Sequence, residues 1–208
     1  MTKASSKDVL RSTIVMFLFV GLVGIWMGGC QTQEQKVERL IRQLQDQDPN
    51  VRGNAAITLG SIGSGTKDAV PVLIQVLQDQ DTEGFVRENA AITLGEIGAR
   101  DAVHTLIQTL QNDQDAEVRK GVVLVLGSIG SEDVVPALIQ VLQDQEWRVR
   151  SNTARALETI GEGAKDAVPT LIQLLQDPEV VYRAEEALKS IGTPEALNAV
   201  KEYEKLRQ

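Results

Sequence analysis

The chain repeats one short apolar pattern five times at nearly constant spacing. AVPVLIQVLQDQ begins at residue 69 and returns as AVHTLIQTLQND at 102, VVPALIQVLQDQ at 134 and AVPTLIQLLQDP at 167, and a diverged copy, KVERLIRQLQDQ, begins at 36. The starts lie 33, 33, 32 and 33 residues apart. Because internal repeats of roughly 20 to 50 residues are typical of solenoids, this period constrains the fold more than any other feature of the sequence.

A second segment follows each copy of the first. It reads VRGNAAITLGSIG from 51, VRENAAITLGEIG from 86, VRKGVVLVLGSIG from 118, VRSNTARALETIG from 149 and, shortened, YRAEEALKSIG from 182. Each repeat is therefore predicted to be a pair of helices joined by turns. Residues 196–208, which end in KEYEKLRQ, are expected to form a polar capping helix.

Local residue chemistry supports these helix boundaries. An aspartate that can cap a helix precedes the first helix of four repeats, at Asp68, Asp101, Asp133 and Asp166. A proline suited to a first helical turn follows in three repeats, at Pro71, Pro136 and Pro169. A glycine suited to a left-handed helix end closes all five second helices, at Gly63, Gly98, Gly130, Gly161 and Gly192.

Each second helix also carries an arginine four residues after an acid. These pairs are Asp48 and Arg52, Glu83 and Arg87, Asp115 and Arg119, Glu146 and Arg150, and Glu179 and Arg183. Residues four apart on a helix are neighbours, so the spacing predicts an ion pair within each helix start.

Composition narrows the fold class and the partner class. Only 3% of the residues are aromatic, which favours closely packed small helices over a β-sandwich or barrel. The net charge is −8, and it becomes −10 without residues 1–29, which hold three of the 21 basic residues and one of the 29 acidic residues. A body this acidic lacks the basic surface that nucleic acid requires, so no nucleic-acid partner is expected.

The first thirty residues have the order of an export signal. Lys3, Lys7 and Arg11 precede an apolar run at 14–27, and Gly28-Gly29-Cys30 follows it. The run is shorter than the ~20 residues of a spanning helix. The ending MGGC resembles the bacterial lipoprotein box, which implies cleavage before a lipidated Cys30, the only cysteine of the chain. The alternative is an uncleaved signal anchor with an incidental cysteine.

Both alternatives predict a protein exported and tied to a bilayer. For a host with two membranes, Gln31 after the cysteine favours the outer membrane, or otherwise the periplasmic side, by the same resemblance. The predicted organisation is a lipoprotein-type signal peptide at 1–29, a lipidated cysteine and short tether at 30–35, and a repeat domain at 36–208.

The repeat pattern LxDxDxxVRxxAAxxLGxIG resembles HEAT repeats of the short subtype named after phycobilisome lyases. The resemblance implies an all-α fold, a right-handed α-α superhelix or HEAT-repeat solenoid of about five helix pairs plus a C-terminal capping helix. It also implies that the second helices line the concave side.

One position of the second helices departs from this pattern. A helical wheel places Ile57 roughly 150° from the packed stripe, and Ile92, Leu124 and Arg155 fill the same position in the next three repeats. In the family the position is commonly charged. The three aliphatic residues, flanked by Gly60, Gly95 and Gly127, are predicted to form a ridge, and these six residues together with Arg155 are the predicted partner-binding residues. The alternative is that superhelical curvature buries them as core.

Catalytic chemistry is not recognisable in the sequence. His104 is the only histidine, and one histidine cannot build a metal site or a nucleophile–base pair. No catalytic residue, no metal and no cofactor are predicted, and the protein is not expected to be an enzyme.

Three hypotheses for function remain. The leading one is a membrane-tethered scaffold or adaptor that binds a protein partner through its concave face. The first alternative is a bilin lyase-like or chaperone-like protein that handles a tetrapyrrole or a phycobiliprotein, as the resemblance implies. The second is a self-associating structural protein of the cell envelope.

Overall fold

The structure, a computed structural model, describes residues 32–207 of the chain. These residues form α-helices and short 3-10 segments, with no β-strand among them. The signal segment, the apolar run and Cys30 lie outside the described residues. None of the helices between residues 32 and 207 has the length and apolar character needed to cross a bilayer.

Eleven α-helices occupy the described residues. In chain order they are α1 (Gln33–Gln43), α2 (Pro49–Ile62), α3 (Val70–Gln78), α4 (Gly84–Ile97), α5 (Val103–Asn112), α6 (Ala116–Ile129), α7 (Val135–Val141), α8 (Trp147–Ile160), α9 (Val168–Leu174), α10 (Val181–Ile191) and α11 (Pro194–Leu206). They form the five predicted pairs, with odd-numbered first helices and even-numbered second helices, and α11 is the predicted terminal helix.

The chain divides into two compact units after Glu38. In the first unit the described residues form the start of α1. The hydroxyl oxygen of Thr32 accepts a hydrogen bond from the amide of Gln35 at 3.2 Å, and the Gln35 side chain accepts one from the Thr32 amide at 3.2 Å. This reciprocal cap begins α1 at Gln33, so residues 33–35 of the predicted tether are already helical.

The second unit, from Arg39 onward, contains the stacked pairs. Each second helix packs against the second helices of the neighbouring repeats, whereas neighbouring first helices contact each other much less. The second helices therefore form one continuous packed layer along the stack.

The core of this unit is a series of leucines that recur with the repeat. Leu59, Leu94, Leu126, Leu157 and Leu188 each have 0% of their surface exposed, one in each second helix. Burial of one such side chain contributes about 1.5 to 3 kcal/mol. We therefore assign most of the stability of the stack to these repeated apolar layers.

The predicted proline positions are confirmed, and the left-handed helix end is confirmed at Gly98, Gly130 and Gly192 but not at Gly63 and Gly161, where ψ is −138° and −133°. The predicted aspartate caps do not form. All five terminal glycines have positive φ, and Pro71, Pro136 and Pro169 lie in first turns. Asp68, Asp101, Asp133 and Asp166 instead lie inside 3-10 segments that precede the first helices. Backbone bonds of those segments satisfy the entering amides, for example Val70 N–H to the Lys67 carbonyl, so no side-chain cap forms.

Candidate partner-binding face

The four ridge positions lie on the same face of successive second helices. Ile57 on α2 is 51% exposed, Ile92 on α4 and Leu124 on α6 are half-buried, and Arg155 on α8 is exposed. None of the four is enclosed by neighbouring repeats. The alternative that curvature buries the aliphatic ridge (Ile57, Ile92 and Leu124) as core therefore does not describe this structure.

The glycines beside the ridge are close to the next repeat. A Cβ atom on Gly95 would lie 2.9 Å from both methyl carbons of Val125, and one on Gly127 would lie 2.7 Å from the Cβ atom of Ala156. Gly60 faces the carboxylate of Glu96 in the same way. The close approach at all three positions is made by the protein's own next second helix, and their contact with a partner stays a prediction.

A surface groove brings three of the predicted residues together. Leu124 and Gly127 of α6 and Arg155 of α8 line a cavity of about 270 Å³ between these two helices. The other lining residues are Val123, Ser128, Asn152, Ala156 and Thr159. Ile57, Ile92, Gly60 and Gly95 lie outside this α6–α8 groove, on the repeats that precede it.

Hydrogen bonds fix the polar wall of the groove. The Asn152 side-chain amide donates to the carbonyl of Arg148 at 2.8 Å, and its oxygen accepts a hydrogen bond from Nη2 of Arg155 at 3.0 Å. Asn152 therefore orients the Arg155 guanidinium over the groove. Asn152 was not among the predicted site residues, although it lies three residues before Arg155, on the same side of the helix.

Two exposed aromatic residues start second helices on the same side of the stack. Phe85 in the first turn of α4 is 44% exposed, and its ring lies against Gly53 of α2. Trp147, the first residue of α8, is 38% exposed, and the guanidinium of Arg148 lies 5.1 Å from its ring centroid. Both rings are partly accessible to a partner.

A charged pair couples the ridge side of α4 and α6. The Lys120 ammonium on α6 lies 3.7 Å from Glu88 of α4 and also contacts Glu117 of its own helix. Burial raises the pKa of Glu88, and the charge of Lys120 opposes that rise. The hydrogen bond to Glu117 raises the pKa of Lys120, so the lysine stays charged at neutral pH.

Arginines of the second helices join successive repeats at the loop edge of the stack. Arg87 donates to both carboxylate oxygens of Asp113 at 2.9 Å, and Arg119 bonds Asp144 at 2.7 and 2.9 Å. The other members of this arginine ladder are Arg52, which pairs with Glu83, and Arg150, which pairs with Asp177 at 2.7 Å.

The ion pairing predicted within each helix is wrong, because the ladder arginines pair with acids of the next repeat. Asp48, Asp115 and Glu146 accept hydrogen bonds from backbone amides two residues later, so they cap the helices instead of pairing with the arginine one turn on. Each ladder arginine donates hydrogen bonds to loop carbonyls of its own repeat and pairs with an acid of the next repeat. Arg183 has no such acid ahead of it, and its guanidinium lies 3.8 Å from Glu158 of the preceding repeat.

Two carboxylates of the ladder, Asp113 and Asp144, are stabilised in their charged form. Burial acts to raise the pKa of Asp113, but hydrogen bonds from Arg87 and from the Asp115 amide outweigh it and hold the pKa below the ordinary value. For Asp144, burial is likewise outweighed by Arg119 and the Glu146 amide, and the pKa is again lowered.

The described part of the chain contains no cluster of metal-binding side chains. Within residues 32–207, no three His, Cys, Asp or Glu side chains are grouped so as to hold a metal ion. The side chain of His104 is exposed at the start of α5.

A stack of helix pairs with one continuous face of second helices defines an α-helical solenoid. A family model described as HEAT repeats matches residues 37–121, 80–158, 103–189 and 135–205. These overlapping matches cover most of the sequence, so the chain belongs to the HEAT-repeat family.

Solved structures resemble the chain over most of its length. The complex of CpcE and CpcF of phycocyanin lyase from Nostoc sp. PCC7120 is 28% identical, with 86% of this chain and 70% of that chain covered and a TM-score of 0.65. An engineered protein is 26% identical, with coverage of 82% and 86% and a TM-score of 0.60.

A designed armadillo repeat protein in complex with the peptide (KR)4 shares the fold at 19% identity, with coverage of 82% and 89% and a TM-score of 0.58. No curated protein sequence matches this chain significantly.

Proposed function

We propose that this protein is a non-catalytic scaffold that binds a segment of another protein along the face of its second helices. The observation that carries the proposal is the α6–α8 groove, in which Leu124, Gly127 and Arg155 line one open cavity. The exposed Ile57 and half-buried Ile92 extend an apolar strip from it. Accessible aliphatic side chains that continue over several repeats are typical of a protein-binding surface.

The likeness to the CpcE–CpcF complex supports a protein partner. That structure contains two protein chains in complex, and it is 28% identical to this chain over 86% of its length. A solenoid that presents one face across several repeats fits an extended or helical segment better than a small compact ligand.

Site-specific photo-crosslinking tests where the partner binds. A photoreactive residue at Ile92 or at Leu124 is expected to give the same adduct, because both positions lie on the proposed strip. The control is Gln108, which is exposed on the first helix α5. Equal adducts at all three positions, or none at 92 and 124, would contradict the proposal.

The combined variant Ile57→Ser, Ile92→Ser and Leu124→Ser tests the energetic role of the ridge. We expect partner affinity to fall by about tenfold or more, since each aliphatic side chain buried by a partner contributes up to about 1.5 to 3 kcal/mol. The melting temperature should change little, because none of the three is fully buried. Leu197→Ser, a change at a 39% exposed position on α11, is the matched control and should leave affinity unchanged.

A second candidate is a bilin lyase-like or chaperone-like protein, which the likeness to phycocyanin lyase favours. A linear tetrapyrrole presents extended apolar ring surface besides its carboxylates, and the strip from Ile57 to Leu124 would contact that surface. Mixing the purified protein with a bilin and recording visible absorption tests this candidate. A shifted, saturable band that the triple serine variant loses would support it over the scaffold, and an unchanged spectrum would exclude it.

We also propose that Cys30 carries a lipid that holds the protein at a membrane on the exported side. The motif MGGC and the use of a single cysteine support the proposal. Mass spectrometry of the mature N-terminus tests it, with a diacylglycerol adduct on Cys30 expected and a free thiol contradicting it. Cys30→Ser should release the protein from membranes without altering partner affinity.

A further inference from the structure

The second-helix face changes character between the third and fourth repeats. Its ridge position is aliphatic at Ile57, Ile92 and Leu124 and becomes the exposed Arg155 on α8. Two turns earlier on the same helix lies Arg148, which is also exposed. The face therefore consists of an apolar part on α2, α4 and α6 and a cationic part on α8.

The two arginines of the cationic part have no internal counter-ion in the described region. Arg150 pairs with Asp177 and Arg183 lies near Glu158, but within residues 32–207 no carboxylate oxygen lies within 4.0 Å of Arg148 or Arg155. Glu186, which follows Arg155 at the ridge position, is engaged by Lys189 at 3.5 Å. Arg148 and Arg155 therefore remain available to a carboxylate of a partner.

The α6–α8 groove combines both kinds of contact. Leu124 supplies accessible apolar surface beside the buried Val123 and Ala156, and Arg155 supplies a guanidinium that Asn152 orients through a 3.0 Å hydrogen bond. A guanidinium has five N–H donors in a fixed plane, so the bond to Asn152 leaves donors for a carboxylate. An oriented guanidinium beside an apolar surface is suited to a partner segment that carries one apolar and one acidic side chain.

At the groove, the nearby charges influence the choice of partner more than the net charge of the whole chain does. The net charge of −8 disfavours an acidic partner at long range. At physiological ionic strength, however, interactions between exposed charges are screened beyond about 8 Å. The contacts made by Arg155, which lines the groove, therefore decide its charge preference.

We propose that the occupant of the groove is a partner segment that places an aliphatic or aromatic side chain on Leu124 and an aspartate or glutamate on Arg155. This inference rests on the proposed function and specifies its partner chemistry. On one side of the apolar anchor, the segment continues over Ile92 and Ile57. On the other side, its acidic residue lies over α8. Adjacent packed helices lie about 8 to 10 Å apart, which about three residues of extended chain span, so the anchor and the acid are about three residues apart.

Selection from a random displayed peptide library against the detergent-solubilised full chain tests this chemistry. The wild-type protein should enrich peptides with an apolar residue about three positions from Asp or Glu, whereas Arg155→Glu should enrich Lys or Arg at that position. Arg100→Glu, an exposed arginine in the connection before α5, is the matched control and should select the wild-type pattern.

A selected peptide then shows how much its acidic residue contributes to binding. Exchange of its acid for the neutral amide (Glu→Gln or Asp→Asn) should weaken binding to the wild type by about tenfold, because charge-assisted hydrogen bonds are the stronger ones, and should have little effect on Arg155→Gln. Fluorescence anisotropy measures both affinities. Equal binding of the acidic and neutral peptides would overturn the inference.

The outcomes separate this inference from the proposed function. If peptides are enriched without an acidic preference and Leu124→Ser abolishes their binding, the face binds segments but Arg155 does not select their charge. If no peptide binds, or if Leu124→Ser leaves binding unchanged, the proposed binding face itself fails, and this inference fails with it.

Discussion

Buried charge at single residues determines how tightly neighbouring repeats are joined. The side chains of Arg87 and Asp113 are 7% and 0% exposed, whereas Glu83, the partner of Arg52, is 46% exposed. Removal of one partner from a buried ion pair leaves an uncompensated charge, but an exposed pair contributes little. The ion pairs of the ladder are therefore expected to differ in how much they contribute to stability.

Asp113→Ala should lower the free energy of unfolding by about 3 to 5 kcal/mol, because Arg87 would remain buried without a counter-ion. Glu83→Ala is the matched control and should cost less than about 1 kcal/mol. Urea denaturation measures both values. Equal losses for the two variants would contradict the assignment of the buried pair as the stronger link.

The ladder also predicts loss of stability in acid. Asp113 and Asp144 have lower pKa values in the folded protein than in the unfolded chain, where about 3.9 is expected. Their contribution is therefore fully present above that value and is lost as the pH falls through the folded-state pKa. Unfolding free energy measured from about pH 6 down to about pH 3 should fall less steeply for Asp113→Ala than for the wild type.

At the scale of the helix, small residues set how closely second helices approach. Gly127 of α6 faces the backbone of α8, since a Cβ atom there would lie 3.1 Å from the Ala156 Cα atom. Gly60 of α2 faces side-chain atoms of α4: the end of the Glu96 side chain, which can rotate away, and the Thr93 hydroxyl oxygen, 3.3 Å from where a Cβ atom would lie. The two glycines occupy equivalent positions but differ in what limits the space beside them.

Gly127→Ala should therefore destabilise the protein by about 1 to 3 kcal/mol, because the backbone of α8 must shift. Gly60→Ala should cost less, because only side-chain atoms of Glu96 and Thr93 must move and alanine has the higher helix propensity. Thermal unfolding of the two single variants makes the comparison. A larger loss for Gly60→Ala than for Gly127→Ala would contradict this account of the packing.

At the scale of the whole molecule, the final helix covers the open end of the last repeat. α11 contacts α9 and α10, and it buries Ala196 and Val200 while exposing Leu206 at its end. In a solenoid each repeat is stabilised by its neighbours, so the last repeat depends on this cap. The arginine ladder also ends at this repeat, because Val181 of α10 stands where the other second helices have the ladder arginine.

Deletion of residues 194–208 should lower the melting temperature and cause self-association, because it uncovers apolar surface of the last pair. Sedimentation velocity in one detergent compares the shortened and full chains. Leu206→Ser, at an 81% exposed position, is the control and should behave as the full chain. Association of the full chain itself at micromolar concentration would favour the self-associating envelope protein considered from the sequence.

The sequence by itself determined the architecture. The period of about 33 residues, the first-turn prolines and the terminal glycines located all five helix pairs, because these features act through local backbone geometry and recur in every repeat. The helical wheel also placed Ile57 on an accessible face, since the direction of a helical side chain follows from its position in the turn.

Only the tertiary structure decided which groups meet between repeats. The partner of Arg87 is Asp113 in the next repeat, whereas local spacing had suggested Glu83. The grouping of Asn152 with Leu124 in one groove depends on how α6 and α8 lie together. Contacts between separate helices depend on the distance and angle of packing, which a repeat pattern read along one chain does not contain.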